Sequence, residues 1–228
     1  MQLRNWDDIP EFMQNDDVKE YYEILGKKRL CLRMKRFFDV VMSFVLIILF
    51  SPVFVVIAVW IKLDSKGPVC YRQERVTQYG RRFRIFKFRT MVVNADQTGT
   101  LVTMQNDSRI TSVGKKIRKC RLDEIPQLLN IFAGDMSFVG TRPEVQKYTD
   151  TYSDEMKATL LLPAGVTSEA SIRYKDEDRL LKNAEDIDEV YINKILPEKM
   201  KWNLNYIKNV GIWKDIQVMV QTVLSVIS

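Results

Sequence analysis

Asp123 and Glu124 lie side by side at the end of a basic run that holds Lys115, Lys116, Arg118, Lys119 and Arg121. Acidic residues at the opening of a helix ordinarily complement its dipole and cap its free amides, and for this pair in isolation that is the stronger reading. The surrounding cations add a second one. They would keep Asp123 ionised and draw a phosphate to the same point, where a carboxylate can attack phosphorus or hold Mg²⁺. In Phe83-Arg84-Ile85-Phe86-Lys87-Phe88-Arg89 the alternation puts Lys87 and Arg89 on one face of a strand and Phe86 and Phe88 on the other. That pattern suits a solvated strand face or contact with nucleic acid equally well. Arg142-Pro143 is a stiff turn that can aim a guanidinium at a phosphate. Asp176-x-Asp178 and Asp186-x-Asp188 have the spacing by which many glycosyltransferases hold a metal and a sugar nucleotide; with no βαβ pattern before either, both read as solvated surface.

What is missing narrows the chemistry. The chain has no His, which excludes Ser-His and Cys-His nucleophile pairs and the usual zinc and iron ligand sets. Cys31, Cys70 and Cys120 are too scattered for a disulfide framework or a metal knuckle and read as reduced thiols. No dinucleotide fingerprint, phosphate-binding Walker loop or nucleophile elbow occurs. Chemistry must run on carboxylates, Lys, Arg, hydroxyls or a hard metal ion. With 35 Lys+Arg against 29 Asp+Glu, a net charge of +6, the expected partner is anionic: nucleic acid, an acidic membrane or a phosphorylated substrate.

The elements that would position these residues begin with residues 37–61, the one stretch long and apolar enough for a bilayer. Pro52 stands in its middle, where it deletes a helical hydrogen bond, and Ser51 beside it can satisfy the freed carbonyl. Basic residues flank both ends: Lys27, Lys28, Arg29, Arg33, Lys35 and Arg36 before, Lys62, Lys66, Arg72 and Arg75 after. Both ends therefore prefer the cytoplasm. A helix that enters, breaks at Ser51-Pro52 and returns to the same face satisfies both facts; a kinked single span is the alternative. The acidic start of the chain has the wrong charge for a signal peptide.

The expected fold class is α+β: a mostly helical cytoplasmic domain with a small β-hairpin, anchored by one re-entrant helix-break-helix hairpin. Residues 1–33 form a polar N-terminal extension, with Val18, Tyr21, Tyr22 and Leu25 at helical spacing; residues 34–62 form the broken membrane helix; residues 63–228 form the catalytic domain. Within that domain the pattern predicts strands at 69–75 and 82–89 around Tyr79-Gly80, a helix over 123–133 closed by Gly134, an extended piece at 137–139, and helices over 144–162, 187–196 and 212–227. In the last, Trp213, Ile216, Val220, Val223 and Ile227 form one stripe that suits either a lipid interface or the core.

Taken in order, Lys35-Arg36-Phe37-Phe38-Asp39, Ser51-Pro52, Gly67-Pro68, Lys87-Phe88-Arg89-Thr90-Met91, Arg121-Leu122-Asp123-Glu124-Ile125-Pro126-Gln127-Leu128, Gly134-Asp135-Met136-Ser137-Phe138-Val139-Gly140 and Arg142-Pro143 resemble the bacterial sugar transferase family, the monotopic polyprenyl-phosphate phosphoglycosyl transferases. The resemblance covers residues 34–228 and implies transfer of a sugar-1-phosphate from a UDP-sugar to undecaprenyl phosphate with release of UMP. It makes Asp123 the nucleophile and Glu124 the residue that serves Mg²⁺. Lys87, Arg89, Arg142 and, by position, Arg118 become the substrate and phosphate site. Lys35, Arg36, Ser51 and Pro52 match the family's re-entrant membrane anchor. The location implied is the cytoplasmic face of a bacterial inner membrane, among membrane lipids and downstream glycosyltransferases, with no nucleic acid partner; pairing as a homodimer stays open.

Thr141 stands where the family usually has Pro, and Ala164-Gly165-Val166-Thr167-Ser168 replaces its Pro-Gly-Ile-Thr-Gly loop. The alternatives are a metal-dependent glycosyltransferase that releases UDP through one of the Asp-x-Asp pairs, a non-catalytic membrane scaffold of polysaccharide assembly, and nucleic-acid binding through residues 72–89.

Overall fold

The apolar segment folds as part of one long helix. After α1 (Asp16–Gly26), α2 runs Arg29–Asp64, 36 residues with Pro52 inside, about 54 Å if straight at 1.5 Å per residue. In this computed structural model, which describes residues 1, 3–95, 107–177, 180 and 186–227, helical structure is continuous through Ser51-Pro52, where a break was expected. Ser51 accounts for the passage. Pro52 has no N–H to give the Ile48 carbonyl four residues back, and Ser51 Oγ donates to that same oxygen at 2.7 Å.

One stripe of α2 lies against the protein and the other is bare. Leu32, Lys35, Asp39, Ser43, Ile57 and Ile61 are buried, whereas Phe37, Phe44, Ile48, Leu49, Val55 and Val56 are exposed. The helix is long and apolar enough to cross a bilayer, and only 11% of its most apolar window is buried. Both arms touch the same body of the protein. On the first, Arg36 donates to the carbonyls of Ile131 and Phe132; on the second, Phe54 meets Phe88 at 5.3 Å between ring centroids and Asp64 accepts from the Val113 amide.

β1 (Cys70–Val76) and β2 (Arg82–Phe88) form the expected antiparallel hairpin. Tyr79 and Gly80, with φ of 59° and 73°, turn the chain between them. The register sets Tyr71 opposite Lys87 and Arg75 opposite Phe83, so Arg75 and Lys87 share a face. A second sheet was not foreseen: β3 (Met136–Val139) pairs in parallel with β4 (Ala164–Thr167), and the segment compared above with the family's loop is this strand. The two backbones come into contact at glycines. A Cβ on Gly165 would lie 2.1 Å from the Gly140 nitrogen, a distance only glycine permits.

α3 (Ser112–Lys119) is capped by Thr111, whose hydroxyl accepts from the Gly114 amide. The helix expected over 123–133 begins later: Leu122–Glu124 is a 3₁₀ turn, and α4 (Gln127–Ala133) follows Pro126. The long helix expected over 144–162 is instead α5 (Gln146–Thr149) and a 3₁₀ turn at Met156–Leu161. After β4 come α6 (Glu169–Arg173), α7 (Ile187–Val190), a π-helical turn Tyr191–Ile195, α8 (Leu196–Lys208) and α9 (Ile212–Ile227).

The N-terminal extension belongs to the core. Met13, Val18, Tyr21 and Leu25 are buried in the same apolar cluster as Leu161, Leu196, Met200 and Ile207. Asn15 starts α1 by accepting from the Val18 amide, and Tyr21 reaches Glu155 at 2.7 Å. α9 turns Asp215 and Val218 inward and leaves Trp213, Val220, Val223 and Leu224 exposed. Its apolar stripe is therefore not core packing. Asp215 is held by Lys35 of α2 and by the Tyr206 hydroxyl at 2.6 Å, which pins the first arm of α2 to the domain.

Candidate active site

Three elements converge on the acidic pair. Arg121, with φ of 55°, turns the chain out of α3 into the 3₁₀ turn that carries Asp123 and Glu124. α4 is locked to β2 behind them: Asn130, fully buried, accepts from the Phe86 amide and donates to the Arg84 carbonyl. This sets Lys87, at the end of β2, with Nζ 3.3 Å from Glu124 Oε1. From the loop after β3, Arg142 donates to both Glu124 oxygens and to the Val166 carbonyl.

The two carboxylates thus have different surroundings. Burial acts to raise the Glu124 carboxyl, but Arg142 and Lys87 outweigh it and hold the group well below the usual carboxylate range. Asp123 accepts no hydrogen bond among the described residues. Burial and then the Glu124 charge raise its pKa, with Lys87, Arg118 and Arg142 opposing. Burial also lowers the Lys87 pKa against the pull of Glu124.

The pair opens on a cleft of about 410 Å³ whose cationic side chains outnumber carboxylates seven to four. Such a cleft is matched to a ligand with several negative charges, as a diphosphate has. Among its charged residues, Glu144, Lys175, Glu177 and Lys199 were not singled out in the sequence, and Arg75 was named only as a basic flank of the apolar segment. Glu144 accepts from the Tyr191 hydroxyl at 2.7 Å, and Lys199 donates to that hydroxyl at 3.0 Å and to Glu177 at 2.9 Å. Arg75 carried a signal in its even spacing from Tyr71 and Gln73 along one strand face; Lys199, inside a charged helix, carried none.

Of the residues expected at the site, Lys87, Arg118, Asp123, Glu124 and Arg142 line this one cleft. Arg89 is placed apart from it. Its guanidinium is buried and donates to the Ser65 and Lys66 carbonyls just past α2, where it lines an adjoining groove with Arg118 and Asp123. Lys35 and Arg36 tie α2 to α9 and α4. Asp186 caps α7, and Asp188 is taken by Lys147 and the Tyr148 hydroxyl, so structural work accounts for this Asp-x-Asp pair. Asp178, of the other, lies outside the described residues.

A family model described as "Bacterial sugar transferase" matches residues 30–228. The chain belongs to the bacterial sugar transferase family. A UDP-N-acetylgalactosamine-undecaprenyl-phosphate N-acetylgalactosaminephosphotransferase of Aeromonas hydrophila is 35% identical over 198 residues, 86% of this chain and 44% of that protein. UDP-glucose:undecaprenyl-phosphate glucose-1-phosphate transferases of Klebsiella pneumoniae and Caulobacter vibrioides are 33% and 34% identical over 83% and 85% of this chain and 39% and 70% of their own lengths. The chain thus spans less than half the length of the first and second of these relatives.

Proposed function

We propose that this protein transfers a sugar-1-phosphate from a UDP-sugar to undecaprenyl phosphate and releases UMP. The observation that carries the reading is the division between the carboxylates: Glu124 is gripped by two cations, while Asp123 faces the same cationic cleft without a hydrogen-bond partner among the described residues. A nucleophile must keep a lone pair free. Asp123 attacks the sugar-bearing phosphorus of the donor; an Asp123 oxygen–phosphorus bond forms, the phosphorus–oxygen bond to UMP breaks, and UMP leaves with the electron pair. An oxygen of the acceptor phosphate then attacks the same phosphorus and the Asp123 carboxylate is released. Lys87, Arg118 and Arg142 offset the charge of the phosphates in each step.

A Mg²⁺ ion would have to share Glu124 with the two cations that already hold it. No three acidic or thiol side chains form a cage among the described residues, and Mg²⁺ is commonly held by one or two carboxylates plus substrate phosphates. Glu124 would hold it together with the donor diphosphate, and the bound ion would withdraw charge from the phosphoryl oxygens.

The protein works on the cytoplasmic face of a bacterial inner membrane, with α2 re-entrant, and begins a lipid-linked glycan that downstream glycosyltransferases extend. Support comes from basic residues at both ends of α2, from contacts of both arms with one domain, and from the bare apolar faces of α2 and α9. The test is which nucleotide is released when membrane-reconstituted protein, Mg²⁺ and undecaprenyl phosphate meet UDP-glucose or UDP-N-acetylgalactosamine. UMP that depends on the lipid and on Asp123 supports the reading; UDP overturns it in favour of glycosyl transfer.

A further inference from the structure

A second basic space lies away from the catalytic cleft and shares no lining residue with it. It is a pocket of about 500 Å³ where the start of the chain meets α2 and the hairpin turn. Arg4, Arg29, Arg36 and Arg81 line it, against the single carboxylate of Asp8 among the described residues. Its walls are tied in place. The Arg4 amide donates to the Tyr79 hydroxyl at 3.0 Å, the Arg4 guanidinium lies 4.6 Å from the centroid of the same ring, and Tyr79 is itself buried. Arg29 and Arg36, seven residues apart on α2, share a helix face. Arg29 donates to the Tyr22 hydroxyl at 3.3 Å, and Arg36 to the Ile131 and Phe132 carbonyls in the last turn of α4.

The charges of this pocket are unmatched. Arg81 pairs with Asp135 at 2.9 Å, but Arg4, Arg29 and Arg36 form no ion pair among the described residues. Asp8 instead accepts from the Asn5 side-chain amide at 3.2 Å. Three guanidiniums whose partners are neutral oxygens and a ring, gathered in one concavity, build a positive potential that an anion relieves. We infer that the pocket binds a phosphate group. Guanidinium forks match phosphate oxygens in pairs, and a phosphate has oxygens enough for several forks at once. Arg36 immediately precedes the apolar segment, beside exposed Phe37, while Arg4 and Arg29 are exposed; the phosphate can therefore come from a lipid headgroup or from a soluble compound. The site does not rest on the transfer reaction. Arg4 and Asp8 precede residue 30, where the family match begins, so a bound phosphate would tie the leading segment to α2 and stabilise the folded chain by mass action.

The experiment measures Kd by calorimetry, and melting temperature alongside, for the full chain in a non-ionic detergent. The probes are dihexanoyl phosphatidylglycerol, glycerol 3-phosphate and inorganic phosphate, with succinate as a carboxylate control. Three proteins are compared: the unaltered chain, Arg4→Gln with Arg29→Gln, and Lys27→Gln with Arg33→Gln, which removes the same charge from exposed positions outside the pocket. The expected result is a phosphate-binding step that raises the melting temperature and whose Kd is weakened about tenfold in the Arg4, Arg29 variant, with little change in the Lys27, Arg33 variant. UMP release should be the same in all three, since none of the four residues lines the cleft. Preference for phosphatidylglycerol upholds the site and assigns it to a lipid headgroup; equal affinity for the soluble phosphates upholds it and assigns a soluble ligand. Binding that is equal in all three proteins belongs to the catalytic cleft and overturns the inference. Equal weakening in both variants, succinate bound as tightly as phosphate, or no binding of any phosphate probe overturns it as well. If the Arg4, Arg29 variant does not fold, Arg29→Gln alone decides.

Discussion

Arg142 holds Glu124 through both carboxylate oxygens, and Asp123, one residue earlier, is left without a hydrogen bond from any described side chain or amide. Had the guanidinium gripped Asp123 instead, attack would require breaking that pair first. The 3₁₀ geometry of Leu122–Glu124 separates the two side chains, since successive residues on so tight a turn point in different directions.

Asp123→Asn should leave the fold and membrane association intact, because Asp123 makes no hydrogen bond among the described residues that the change would break. Turnover should fall by at least about a thousandfold, as for loss of a nucleophile. UMP release by the purified variant decides; retained activity removes Asp123 from the reaction.

Glu124→Gln removes the counter-charge of Lys87 and Arg142, whose side chains are only 23% and 30% exposed. Such a partly buried site should lose about 2 kcal/mol, between the values for exposed and fully buried pairs. The expected outcome is a lower melting temperature together with loss of activity at saturating Mg²⁺. An unchanged melt would mean that the cations are solvated well enough to stand alone.

The pH dependence follows from the raised pKa of Asp123. Attack needs the ionised carboxylate, and burial and the Glu124 charge move its pKa above the ordinary 3.8, so UMP exchange should decline on acidification sooner than an exposed aspartate would dictate. Lys87→Met deletes a charge that favours the ionised form, and the acid limb should then shift to still higher pH. Exchange rates against pH for the two proteins test the sign; a shift downward is incompatible with it.

Lys35 and Asp215 form a buried pair between α2 and α9. Lys35→Ala strands the carboxylate and should cost on the order of 3–5 kcal/mol, whereas the double change Lys35→Met with Asp215→Leu should cost much less. Thermal melts of the two variants in the same detergent settle the comparison.

A re-entrant α2 requires both ends on one side of the membrane. In a background lacking Cys31, Cys70 and Cys120, single cysteines at Arg33 and Lys66 should both resist an impermeant maleimide applied to intact cells and both react once cells are opened. Labelling of one of the two from outside would establish a through-going span.

Sequence patterning made the local elements legible where the pattern itself was local. The hairpin announced itself through alternation and Tyr79-Gly80, and α1 through Val18, Tyr21 and Leu25. The extended piece at 137–139 was legible and is β3, but β4 and the pairing of the two escaped, because the strands are four residues long and parallel, 28 positions apart in the Met136 to Ala164 register; short parallel strands leave no turn signal. Lys87, Asp123, Glu124 and Arg142 could be read from residue type and family likeness, but which cation would meet which carboxylate could not. That choice depends on Asn130 docking α4 to β2, a tertiary contact with no trace in periodicity. Arg89 shows the same limit: it falls one residue past the end of β2, and its guanidinium serves the backbone after α2.

The family match starts at residue 30, yet Met13 and Leu25, ahead of it, are wholly buried against residues that lie within it. A unit trimmed to the matched segment would expose the apolar surfaces of α8 and of the turn at Met156–Leu161, and would lose the Tyr21 bond to Glu155. In chimaeras built from this protein and its relatives, the leading segment must therefore travel with α8: the border of the family match and the folding border of this protein fall at different places in the chain.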